Sequence, residues 1–462
     1  MPRLIRTGAL MCLLTTGQAV PTPSHTDTLL DSLYPQLGQP GLNVLHYDVR
    51  LDIPQPGTPG LRSAVTVLAR ADTDLTSVQL DYAGPQIRSA SWNGAPVPFH
   101  RDDSTDKLII EWPLKRGERA TITVTSEGEP AGKPDPTLPM SLGWHSVPAT
   151  STQPGANFAF SEPDGTHTFL PCNDHPSDPA TFTTHLTVPQ GVTAAASGQL
   201  QRDQLNPDGT HTVTYALTTP VPTYALSVHV GQLDHVRRPD LTSGSRVIER
   251  HDYFPSSVPA DIRAPYDRTD QMLRVLTDWF GPYPFQTYGS AVVTSDLPAL
   301  ETATLSTMPV RSSQVRVIVH ELAHQWFGNA VPLADWSDTW LNEGFATYAE
   351  LLWAEAEGED PTALVSRWRS QLQRGTRPLI ATTQAQMFDA SAYARGALAL
   401  HALRTHSGDQ AFRAFLHEYT RTRAARPTRT ADLFALTRQR LGPDASALLH
   451  RWVQDPNLPA SP

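Results

Sequence analysis

His320 and His324 stand four residues apart, with Glu321 between them. After eighteen further residues comes Glu343, in the run Trp340-Leu341-Asn342-Glu343-Gly344-Phe345. On a helix, side chains at i and i+4 leave from one face, so the two imidazoles can grip one metal ion. A carboxylate returning on a second helix can complete three protein ligands and leave one coordination position open. Zn2+ held by two neutral imidazoles and one carboxylate keeps a net positive charge. It therefore acidifies a water and polarises a carbonyl. Glu321 projects to the same side but is expected to lie too far to ligate; it can take a proton from that water and deliver it to a leaving amine. The nitrogen and oxygen donor set favours zinc.

Two ordinary histidines on a surface helix are the plainer reading of such a short motif. The surrounding residues Val315, Ile318, Val319, Leu322, Trp326 and Phe327 are apolar, which predicts a buried helix. Buried histidines and glutamates need partners, and a metal supplies them. Gly344, beside Glu343, allows a second helix to pack closely. Histidine ligands also need acceptors that fix their tautomers. Asp338 and Glu350 are the candidates, Glu350 lying two helical turns beyond Glu343 on the same face.

The elements that must position these residues follow from hydrophobic period. From Leu42 to about Asp240 the pattern has period two: Leu45, Tyr47, Val49, Leu51 and Ile53; Ala120, Ile122 and Val124; Phe182, Leu186 and Val188. Turn-rich breaks such as Pro54–Gly60, Asn93-Gly94 and Pro207-Asp208-Gly209 separate the runs. This predicts an antiparallel β domain over 42–240. Beyond Pro239 the period becomes helical, starting with Met272, Leu273, Leu276, Trp279 and Phe280. Helices are expected at Val315–Phe327, Leu341–Ala356, Ala363–Gln373, Ala394–Thr405, Gln410–Thr420, Ala431–Leu441 and Ala445–Val453, behind a small β element. The second domain, 241–462, therefore reads as mostly helical.

The chain has 462 residues and a net charge of −10. That length suits two or three domains, and the charge argues against nucleic acid as a partner. The arginine-rich run Arg421–Arg429 reads as a solvated loop. At the N-terminus, Arg3 and Arg6 precede the apolar Gly8–Leu14, too short to span a bilayer. Thr16-Gly17-Gln18-Ala19 follows as a small-residue cleavage region. Residues 1–20 thus read as an export signal, which predicts a secreted or cell-envelope protein. Residues 21–41, rich in Pro, Ser, Thr and Asp, read as a flexible lead-in. No other segment is apolar enough to be a membrane span, and nothing specifies an oligomer. With the signal removed, Cys172 is the only cysteine, so no intrachain disulfide is expected.

The run His320-Glu321-Leu322-Ala323-His324-Gln325-Trp326-Phe327-Gly328-Asn329, followed by Trp336-Ser337-Asp338-Thr339-Trp340-Leu341-Asn342-Glu343-Gly344-Phe345-Ala346, resembles the aminopeptidase N and leukotriene hydrolase family of zinc metallopeptidases, the gluzincins. Leu170-Pro171-Cys172-Asn173-Asp174-His175-Pro176, Phe280-Gly281-Pro282-Tyr283-Pro284 and Tyr393-Ala394-Arg395-Gly396-Ala397 fit the same family in order. The resemblance runs from about Leu42 to Pro459. It implies a saddle-like β domain packed on a thermolysin-like catalytic domain, and removal of single residues from peptides with free N-termini. It assigns His320, His324 and Glu343 to one Zn2+ and Glu321 to general base and acid. Tyr393 would donate its hydroxyl to the oxyanion, stabilising charge as it develops.

The chain departs from the family in three places. Pro298-Ala299-Leu300-Glu301-Thr302 stands where the family carries Gly-x-Met-Glu-Asn on a substrate-binding edge strand. Glu301, expected to hold the α-ammonium, survives; Ala299 and Leu300 fall on the edge, and the flanking changes alter the neighbouring contacts. Glu162 occupies the place of a family glutamine at the amine end of the cleft, so Glu162 and Glu301 together could form an anionic trap. The resemblance also stops where larger relatives continue with a long helical domain, which implies a more open cleft. The reading is a zinc aminopeptidase. The alternatives are a thermolysin-like endopeptidase, which would cut blocked peptides, and a non-catalytic peptide-binding protein on the same fold.

Overall fold

The computed structural model describes residues 31–460 except 136–139, 152, 245 and 374. The export signal and the first half of the lead-in therefore lie outside the described residues. The period-two runs form an eight-stranded sheet in the order Gln199–Leu205, Thr210–Val221, Ala180–Pro189, Leu42–Asp52, Leu61–Ala71, Arg119–Gly128, Gln86–Trp92 and Ala95–Pro96. Leu61–Ala71 shows why: its odd-numbered positions are buried and the side chains between them are not. One pair departs from the antiparallel expectation. Leu42–Asp52 runs parallel to Ala180–Pro189, with Val49 opposite Thr184. A bulge between Val44 and His46 also changes the strand's parity, so Val44 is buried and Leu45 only half-buried.

A five-stranded sheet, Thr193–Ala196, Val228–Gly231, Ala156–Phe160, Ser141–Val147 and Lys133–Pro134, lies against the second domain. That domain opens with a four-stranded sheet, Leu233–Ser243, Arg246–Pro255, Thr287–Val293 and Leu305–Pro309. The expected boundary at 240/241 thus falls inside a strand. The hairpin Leu233–Pro255 pairs in parallel with Thr287–Val293 and belongs to the second domain. Helices follow at Val315–Ala323, Trp340–Ala356, Thr362–Leu372, Gly396–Ser407, Asp409–Arg423, Thr430–Leu441 and Pro443–Gln454.

The lead-in corrects a second expectation. Residues 31–41 are not loose but clasp both domains. Asp31 is buried; its carboxylate accepts from the backbone N–H of Trp336 at 2.6 Å and pairs with His175 Nε2 at 3.1 Å. Ser32 Oγ donates to Asp335 Oδ1 at 2.9 Å, and Gln384 Nε2 donates to Leu33 O at 3.1 Å. Farther along, Gly38 N donates to Asp81 Oδ2 at 2.9 Å. Polar composition predicted mobility; instead the polar groups are spent on hydrogen bonds across the domain junction.

The helices bearing Glu343 and Gly396 cross where two glycines meet. A Cβ on Gly344 would lie 2.9 Å from Gly396 Cα, and one on Gly396 would lie 2.8 Å from Gly344 Cα. The crossing brings Glu343 and Tyr393 to one place. Gly396→Ala is expected to destabilise the protein by about 1–3 kcal/mol through overpacking, despite a gain of about 1 kcal/mol in helix propensity. Urea titration of this variant checks the sign; increased stability would show that the backbones do not need to touch.

Candidate metal and peptide site

The helix Val315–Ala323 is anchored by Ile318, Val319 and Leu322, all fully buried. It ends earlier than the period predicts. Gln325 N and Trp326 N bond three residues back, to Leu322 O and Ala323 O, and Gly328 has φ 108°. His324 therefore sits at the helix's C-terminal end, one turn beyond His320. Both imidazoles face Glu343, whose Oε2 lies 3.3 Å from His320 Nε2 and 3.6 Å from His324 Nε2. Ligand atoms of all three residues lie within 4.8 Å of one another.

The remaining ring nitrogens are committed. His320 Nδ1 is 3.1 Å from Glu350 Oε1, and His324 Nδ1 is 3.1 Å from the carbonyl oxygen of Phe327. Each acceptor calls for a proton on Nδ1, which leaves each Nε2 with a free lone pair turned towards Glu343. Two presented imidazole lone pairs and a carboxylate form a donor set that fits Zn2+ with an open position. Glu350 thus stands where the sequence placed it. Asp338 does not: it accepts from Thr430 Oγ1 and touches neither imidazole. Thr430 in turn accepts from Trp340 Nε1 at 2.8 Å, so Asp338 braces the start of the Glu343 helix. The acceptor for His324 is a backbone carbonyl, which no side-chain pattern marks.

Glu301, Glu321 and His324 form a second convergent group, also within 4.8 Å. Burial pushes the Glu321 carboxyl up to about 7, against the pull of His320 and His324. Burial likewise raises Glu301, and it raises Glu162 well above the usual range, helped by the negative charges of Glu301, Glu343 and Glu321. Oε1 of Glu162 and Oε1 of Glu301 are both sealed from solvent and have no hydrogen-bond partner.

Glu301 is held by groups to which the sequence reading gave no role. Asn329 Nδ2 donates to Glu301 O at 2.7 Å. Gln325 Nε2 donates to the same oxygen at 3.2 Å, while Gln325 Oε1 accepts from Thr304 N at 2.8 Å. Both residues lie in the metal motif itself. The buried phenol of Tyr224 also feels the charges of Glu301 and Glu162.

Leu300 departs from expectation. Its N–H and C=O are both taken by Thr307, at 2.9 and 2.8 Å, and its side chain is buried among Phe158, Phe160 and Leu297. The backbone of half-buried Ala299 has no partner among the described residues. The edge available to a substrate is therefore at Ala299. Tyr393 lies in a π-helical turn, Ser391–Arg395, leading into the Gly396 helix, and its ring stacks 6.0 Å from that of His320.

A two-histidine, one-glutamate metal site at the junction of a β domain and a helical domain defines the class. Residues 43–225 match the Peptidase M1 N-terminal domain and 288–452 the Peptidase family M1 domain. The chain belongs to peptidase family M1. It is 46% identical to the two-domain M1 zinc metallopeptidase of Deinococcus radiodurans, with TM-score 0.89 over 94% of this chain and 99% of that one. Mutant forms of that protein have been solved with L-tryptophan, with L-arginine and with a Tyr-Ser-Ala substrate. Among curated relatives, Aminopeptidase M1-A of Oryza sativa is 28% identical over 64% of this chain, and the leucyl aminopeptidase of Saccharolobus solfataricus 24% over 84%. The chain spans 37% and 51% of the lengths of those two relatives.

Metal content tests the ligand assignment without reference to activity. His324→Ala is expected to lose stoichiometric zinc by atomic absorption. Glu350→Gln should retain it with affinity weakened about 10–100-fold. Full zinc binding by the His324 variant would remove that residue from the ligand set.

Proposed function

We propose that this chain is a zinc-dependent aminopeptidase that removes single residues from the amino ends of peptides. The observation that carries the reading is the pair of unpartnered carboxylate oxygens on Glu162 and Glu301, beside the His320, His324 and Glu343 cluster. Buried anionic oxygens lacking donors are costly. A free α-ammonium brings both the missing charge and three N–H donors, and a blocked N-terminus brings no charge.

The metal, held by His320, His324 and Glu343, would supply Lewis acidity at the scissile carbonyl and acidify the attacking water. Glu321 takes the proton from that water and returns it to the leaving amine as the C–N bond breaks. The Tyr393 hydroxyl donates a hydrogen bond to the developing oxyanion. Unpaired backbone at Ala299 holds the extended peptide, while Glu162 and Glu301 fix its first residue, setting the cut one residue from the end. We also propose that the chain is exported. Arg3, Arg6 and the apolar Gly8–Leu14 support this. No helix among the described residues is long and apolar enough to cross a membrane.

Aminoacyl chromogenic substrates run free and N-acetylated, with and without chelator, test the activity. Chelator-sensitive cleavage of the free-amine forms alone is expected. Glu301→Gln should raise KM by about 10–100-fold, the worth of a charged hydrogen bond, and Glu162→Gln should raise it less. Cleavage of acetylated substrates at similar rates would indicate an endopeptidase instead. Export predicts a mature N-terminus near residue 20 in the extracellular or envelope fraction; an intact Met1 start there would refute cleavage of the signal.

A further inference from the structure

Away from the metal site, a cavity of about 300 Å³ opens between the two domains. Asn157, Phe158 and His229 line it from the β domain; Leu233, Ser257 and Val293 line it from the second domain. None of the residues lining it is charged. Its volume is at the lower end of the range for small-molecule sites, and an uncharged wall selects a neutral guest. Phe158 is already part of a stack, 5.1 Å from the His145 ring and 6.2 Å from that of His229. Phe158 and His229 therefore give this wall two near-parallel rings, and an aromatic wall favours an aromatic guest.

His229 supplies the polar feature. It is 1% exposed, and burial lowers its pKa to about 3, so the ring is neutral. Its Nε2 lies 3.1 Å from Thr307 Oγ1, which lies 3.0 Å from Thr302 Oγ1. Thr302 Oγ1 donates its only proton to Leu305 O at 2.6 Å. Thr307 must then donate to Thr302, and His229 Nε2–H must donate to Thr307. The direction of the whole chain is fixed from its end. The His229 proton is on Nε2, and Nδ1, which has no partner among the described residues, is a bare acceptor on a residue that lines the cavity.

We propose that this cavity binds a neutral, flat aromatic molecule carrying one N–H or O–H donor, of the indole or phenol type, whose donor meets His229 Nδ1. The site is separate from the peptide site: none of the metal-cluster residues lines it. It does not depend on the peptidase reading.

Indole and benzofuran have nearly the same shape, and only indole has a ring N–H. Calorimetric titration of the zinc-loaded protein is expected to show one saturable indole site per chain, with benzofuran about tenfold weaker, the worth of about one hydrogen bond. His229→Phe keeps the aromatic wall and should bind the two compounds equally. Ser257→Trp, at the cavity's exposed lip, should abolish both without lowering the melting temperature. Equal binding of the two compounds by the unmodified protein would overturn the proposal. So would full indole binding by Ser257→Trp, or displacement of indole by a tripeptide from Glu321→Gln protein, which would place it in the peptide site.

Discussion

The constraint on which the rest depends is electrostatic. Glu162, Glu301, Glu321, Glu343 and Glu350 converge on two imidazoles in a largely buried space at the junction of two domains. Taken out of water, such a concentration of carboxylates is stable only where protons or cations neutralise part of it. Among the described residues the arginine paired with this group is Arg316, 3.8 Å from Glu350 at its edge. Two places therefore suit positive charge, one between the imidazoles and Glu343 and, on the function proposed above, one between Glu162 and Glu301. The first suits a divalent metal; the second suits a monovalent ammonium. On the proposed function, their adjacency would measure the cut from a peptide's end.

Much of the scaffold serves to keep these charges from relaxing apart. Glycine-to-glycine contact at the helix crossing sets where Glu343 stands relative to Tyr393. Gln325 and Asn329, at the end of the metal helix, grip the backbone of Glu301 from below, so the peptide edge and the metal ligands share one rigid support. Thr430 and Asp338 brace the start of the helix that brings Glu343 back. A small change in any of these would alter distances among like charges, where the Coulomb term is steep.

The metal ligands were legible in the sequence because their spacing lies within one helix and one return, where local geometry nearly determines the outcome. Glu301 and Glu162 were legible through resemblance, not through period, since both sit in irregular segments. What escaped was whatever tertiary context alone decides. The carbonyl of Phe327 is an acceptor only because the helix ends early. Asp338 turned away because Thr430, ninety-two residues later, offered a better partner. The parity of the first strand changed at a bulge that leaves no mark in the hydrophobic pattern. The boundary drawn at 240 missed a hairpin whose partners come from the following domain.

The clasp formed by residues 31–38 sets a limit on how the chain can mature. Asp31 and Ser32 reach Trp336, Asp335 and His175, so these two residues tie the two domains together at their junction. On the export proposed above, trimming that stops before Asp31 leaves this tie intact. A cut past Asp31 would remove the acceptor of the Trp336 N–H and the Nε2 partner of His175, while Asp335 would keep Ser337 N and Arg429. The polar lead-in is thus a fastener whose loss would loosen the domain junction that carries the metal site.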